Sequence, residues 1–79
     1  MKGRNKVNKE AAEAIGTQIK RHRQFQLITQ EELAAMAHTS RKMISAFERG
    51  QSIPNAIQIT EIAVACKTTV EELCDFLYK

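Results

Sequence analysis

Glycine and cysteine are scarce in this chain, and each scarcity excludes something. Three glycines, at positions 3, 16 and 50, leave no glycine-rich loop to cradle a phosphate. Two cysteines, Cys66 and Cys74, stand eight apart, which is neither a CxxC pair nor a zinc-ligand spacing. The two histidines, His22 and His38, are not placed to complete a site with them, so no metal and no cofactor is expected. Both thiols read as small hydrophobes in a reducing cytoplasm. No apolar run approaches the roughly 20 residues that a membrane helix needs. The basic segment from Met1 to Lys9 has no apolar stretch behind it, so it does not read as a secretory signal. There is no Ser/His/acid or Cys/His constellation and no pair of carboxylates on a plausible cleft. With 79 residues the chain makes one domain with a modest core, and a catalytic cleft is hard to fit. An enzyme is therefore the weakest reading.

What is present is a graded charge. Residues 1–9 carry a net +4, residues 10–54 a net +1 and residues 55–79 a net −2, for a total of +3. The positive end invites a polyanion, and the acidic C-terminal third should face away from it.

The stretch from Thr29 to Gly50 organises the chain. Thr29 and Glu32 have the spacing of a capping box, with Ile28 and Leu33 placed as a hydrophobic staple. Ala34 and Ala37 are small enough for a second helix to cross closely. His38-Thr39-Ser40 breaks the pattern, and Ser40 can cap the next helix. On a wheel at 100° per residue, Arg41, Lys42, Ser45, Ala46 and Arg49 share one face. Met43, Ile44, Phe47 and Glu48 share the other. One face packs, apart from Glu48; the other is short, basic and polar.

Periodicity extends this to an all-α chain of five helices. A flexible basic arm covers residues 1–8, and a compact domain covers residues 9–79. Helix one runs from about Asn8 to Phe25, with Ala11, Ala12, Ile15 and Ile19 inward and Phe25 extending the contact from a neighbouring face. Helix two is Gln30 to Ala37, and helix three is Arg41 to about Arg49, closed by Gly50. Asn55 caps helix four, whose Ile59, Ile62, Ala63 and Cys66 give an i, i+3, i+4, i+7 stripe. Thr69 and Glu72 form a second capping box, and helix five runs to about Leu77.

The pattern resembles the helix-turn-helix of the lambda-repressor-like, or XRE, family of phage and bacterial repressors. The matching residues are Thr29-Gln30, Glu32-Leu33-Ala34, Ala37, Ser40-Arg41, Ile44-Ser45, Glu48-Arg49-Gly50 and Pro54. The match extends forward through Ile59, Ile62-Ala63 and Glu72-Leu73, and back to Ile15-Gly16, Ile19 and Arg23. The resemblance implies a sequence-specific, cytoplasmic transcriptional regulator that puts helix three in the DNA major groove. It implies base reading by Arg41, Lys42, Ser45 and Ala46. It implies phosphate contacts from Gln30, Ser40, Arg49 and Gln51. It also implies a structural pair, Arg23 with Glu48, which would explain the inward carboxylate.

In this family the C-terminal helix commonly forms a two-fold contact, so the resemblance implies a homodimer through Phe76, Leu77 and Tyr78 on a dyad-symmetric operator. Double-stranded DNA is then the partner, with no membrane and no small-molecule ligand. Repression follows from blocking polymerase, although activation suits the sequence equally. An antitoxin or a restriction-modification controller protein would use the same fold. The family often has glycine where this chain has Leu27, His38 and Lys67. Left-handed geometry is strained for such residues, least for His, and the loop at Leu27 is expected to take a different turn.

Overall fold

A computed structural model describes the backbone of residues 2–78 and the side chains of residues 8–76. The described chain is all helical: α1 (Lys2–Phe25), α2 (Gln30–Met36), α3 (Arg41–Glu48), α4 (Ala56–Ala65) and α5 (Val70–Leu73), then a 3-10 turn, Asp75–Tyr78. Four helix starts are capped as the side chains dictate. Thr29 and Glu32 exchange side-chain and backbone bonds, as do Asn55 and Gln58. The Ser40 hydroxyl accepts from the Met43 amide at 3.1 Å. Thr69 accepts from the Glu72 amide, but the reciprocal half of the expected capping box is not formed. The Glu72 carboxylate instead accepts from the Thr68 hydroxyl at 2.6 Å.

Four helices stop in one way. The amides of Leu27 and Ile28 donate back to Gln24 and Arg23 at the end of α1. His38 and Thr39 do the same to Ala35 and Ala34, Gly50 and Gln51 to Phe47 and Ala46, and Lys67 and Thr68 to Val64 and Ala63. This is the Schellman pattern, which puts its penultimate residue in the left-handed region. Gly50 has φ 73°, and Leu27, His38 and Lys67 follow at 60°, 58° and 57°. The turn at Leu27 is thus the ordinary one, contrary to expectation: two backbone hydrogen bonds and the staple at Ile28 outweigh the strain in Leu27.

The core gathers Ile15 and Ile19 of α1, Leu33 and Ala34 of α2, and Ile44 and Phe47 of α3. Ile59, Ile62 and Ala63 of α4 complete it with Ala37, Cys66, Leu73 and Cys74. Gly16 lets α1 and α3 touch backbone to backbone, because a Cβ there would run into the Phe47 carbonyl oxygen. Both cysteines are buried and free. Burial raises both thiols above their ordinary value, and for Cys66 the nearby Arg23 works against that rise.

Three features differ from the sequence reading. The backbone of α1 begins at Lys2 rather than near Asn8. No proline interrupts Lys2 to Lys9, so the established helix extends at small cost per residue. The arm placed over residues 1–8 otherwise concerns the side chains of residues 1–7, which lie outside the described residues, and exposed Asn8. Phe25 does not extend the α1 contact; it is 81% exposed, about 120° around the helix from Ile19. Helix five gives way to the 3-10 turn once Leu73 and Cys74 have entered the core, and Asp75 accepts from Gln18 Nε2 of α1 at 3.4 Å.

Candidate nucleic-acid interface

Helix α3 sits on Ile44 and Phe47, both fully buried. That anchoring turns Arg41 and Lys42 outward, both exposed, with Ser45 and Ala46 half-buried beside them. Arg41, Lys42, Ser45 and Arg49 line one shallow depression. Two depressions beside Arg21 and His22 include Glu72 in their walls; the α3 depression has no carboxylate in its wall. A surface of this kind attracts a polyanion and repels nothing from it.

The acidic residue of α3 is taken inward. Glu48 has a side chain only 3% exposed. It accepts from Arg23 Nε at 2.6 Å, Arg23 Nη2 at 3.1 Å and Gln30 Nε2 at 3.0 Å. The remaining arm of the guanidinium, Nη1, donates to the Ile28 carbonyl at 2.8 Å. The bond to Glu48 holds the Arg23 guanidinium above its ordinary range, against the opposing effect of burial. A bidentate fork is what makes a buried charge pair tolerable, since both ions are hydrogen-bonded as well as attracted. One group of side chains therefore ties α1, the α1–α2 turn, the start of α2 and the inner face of α3.

The phosphate candidates are arranged less uniformly. Ser40 is exposed, its hydroxyl on the Met43 amide. Gln51 is exposed, and its amide closes the end of α3 by donating to the Ala46 carbonyl. Gln30 is half-buried and already spends one amide proton on Glu48. Arg49 stands with Arg41, Lys42 and Ser45, and its Nε donates to the Ser45 carbonyl at 3.2 Å. Phe76 is 40% exposed, and the side chains of Leu77 and Tyr78 lie outside the described residues.

The Gln30 bond to Glu48 escaped the sequence reading, since it has no signal in spacing. Arg49 stands where the helical wheel puts it, four residues after Ser45 on one ridge. A further contact ties the turn before α3 to α4, where His38 Nδ1 lies 3.0 Å from Glu61 Oε2 on the surface.

Among the described residues no group of three His, Cys, Asp or Glu could hold a metal ion, and no helix is long and apolar enough to cross a membrane. The two capped helices at the centre, crossing on small residues and presenting a basic outer face, define a helix-turn-helix DNA-binding domain of the XRE type. The family model HTH_3 (helix-turn-helix) matches residues 19–73, and the chain belongs to that family. No curated protein matches the chain in sequence. Among solved structures it is similar to the restriction-modification controller protein C.AhdI from Aeromonas hydrophila. The two share a TM-score of 0.78 and 25% identity over 82% of this chain and 94% of that one.

Proposed function

We propose that this DNA-binding regulator acts as a homodimer on a dyad-symmetric operator, with α3 of each copy in the major groove. The observation that carries the reading is the division of α3: a carboxylate-free outer face, and an inner face fixed by Glu48 to Arg23 and Gln30. Arg41 and Lys42 donate to guanine O6 and N7, Ser45 meets either kind of base edge, and Ala46 touches a thymine methyl. Ser40, Gln51 and the second amide proton of Gln30 lie against phosphates and set register. Phe76, with Leu77 and Tyr78, supplies the two-fold contact. Two recognition helices then meet half-sites about 34 Å apart.

Repression by exclusion of polymerase is the simplest output. The likeness to C.AhdI favours a more specific role, control of a restriction-modification system.

Selection of bound sites from random duplex tests the reading in one step. The expected product is an inverted repeat with one helical turn between half-site centres. Its affinity should fall steeply with salt, as counterion release requires. A flat salt response would remove DNA binding, and a single unrepeated half-site would remove the dimer.

A further inference from the structure

We propose that Arg49 is a second base reader, and that with Arg41 it selects half-sites carrying two guanines about three to four base pairs apart. The inference rests on the reading of α3 as the major-groove helix, and it departs from the phosphate role that the family resemblance gives Arg49.

Position is the first argument. Arg41, Ser45 and Arg49 succeed one another at intervals of four, which keeps them on one ridge of a helix. All three line the same depression. Arg49 is the C-cap of α3 and exposed, and it stands with Arg41 and Ser45 on the reading face.

Geometry is the second. The Arg49 Nε donates to the Ser45 carbonyl at 3.2 Å. That bond leaves Nη1 and Nη2 as a free fork of donors. A guanidinium already held loses less freedom on binding, and its fork matches the paired acceptors O6 and N7 of guanine.

Chemistry is the third. Arg41, Lys42 and Arg49 can only donate, and Ser45 is the one residue of the depression whose side chain can also accept. Reading the amino groups of adenine or cytosine needs an acceptor such as Asn, Gln or a carboxylate. Guanine alone offers two acceptors side by side in the major groove, so this face favours it twice. Eight residues of helix at about 1.5 Å each span about 12 Å. At about 3.4 Å per base pair that is three to four steps of duplex.

Site selection from random duplex with the full chain, Arg49→Lys and Arg49→Gln tests this, with helical circular dichroism as a check on folding. The wild type should enrich guanine at two positions per half-site at that spacing. Arg49→Gln should exchange one of the two guanines for adenine, which glutamine reads bidentately, and leave the other unchanged. Arg49→Lys should keep the salt slope yet lower the guanine preference at that position by about tenfold. If both variants return the wild-type base profile, Arg49 touches phosphate and the inference is overturned. If the wild type itself binds no duplex in a salt-dependent way, the DNA reading fails, and this inference with it.

Discussion

Leu27→Gly should stabilise the protein, because the side chain it removes packs against almost nothing. Leu27 is 89% exposed, so its side chain brings little burial to the folded state. Its backbone is left-handed, at φ 60°, where an L-residue is strained by about 1–2 kcal/mol. Glycine relieves that strain but widens the unfolded ensemble, at about 0.5–1 kcal/mol. The net gain is about 0.5–1 kcal/mol. Lys67→Gly has the same balance, because Lys67 is exposed and sits at φ 57°. His38→Gly should gain less. Histidine enters this region more readily, and the substitution loses the surface contact to Glu61, worth about 0–1 kcal/mol. The double variant Leu27→Gly/Lys67→Gly should melt about 4–16 °C higher, at about 4–8 °C per kcal/mol for a domain of this size. Urea unfolding at fixed protein concentration, followed by circular dichroism, gives the free energies. Leu27→Ala is the control: it keeps a Cβ and so keeps the strain. The reasoning fails if alanine stabilises as much as glycine. It also predicts the reverse at the fourth turn. Gly50→Ala should destabilise by about 2 kcal/mol or more, since its Cβ would meet Glu13 Cα at 3.0 Å in addition to the strain.

Two more outcomes follow from buried groups. Arg23→Met strands the Glu48 carboxylate in the core and should cost about 3–5 kcal/mol, while Arg23→Met/Glu48→Met should recover most of it; equal losses in the single and double variants by urea unfolding would refute the pairing argument. Burial raises the Cys66 and Cys74 thiols, so above their ordinary value near 9.0 the unfolded chain releases those protons first. Stability should therefore decline as pH rises past about 9, and Cys66→Ala/Cys74→Ala should show a flatter decline between pH 8 and 10. Parallel declines in the two proteins would exclude the thiols as the cause.

The parts of the fold that follow from local chemistry were readable. Thr29 with Glu32, Ser40 and Asn55 name their helix starts because a short oxygen-bearing side chain satisfies a free amide. The stripe Ile59, Ile62, Ala63, Cys66 names its buried face because helical spacing leaves no other arrangement. The division of α3 into Ile44 and Phe47 within and Arg41, Lys42 and Ser45 without came from the same spacing. What was not readable depended on competition between neighbours. Whether Glu72 closes on the Thr69 amide or accepts from the Thr68 hydroxyl is a competition between adjacent donors that spacing does not decide. Leu27 shows that two backbone hydrogen bonds and a packed neighbour can hold a strained residue, which no propensity reports. Phe25 is apolar yet lies about 120° around α1 from Ile19, and apolar character by itself does not fix a side chain to the packed face. Gln30 joins Glu48 only because α2 and α3 fold onto each other.

The bonds that converge on Glu48 have a consequence for change over time. The pose of α3 is held from its inner side, by Arg23, Gln30, Ile44 and Phe47, while Arg41, Lys42 and Ala46 take no part in that support. The outer residues can therefore be exchanged without loosening the mount that aims them. A chain built this way can acquire a new recognition code by swapping a few surface letters, with its scaffold left intact. Exchange at Gln30 would be different in kind, since that side chain is itself part of the mount.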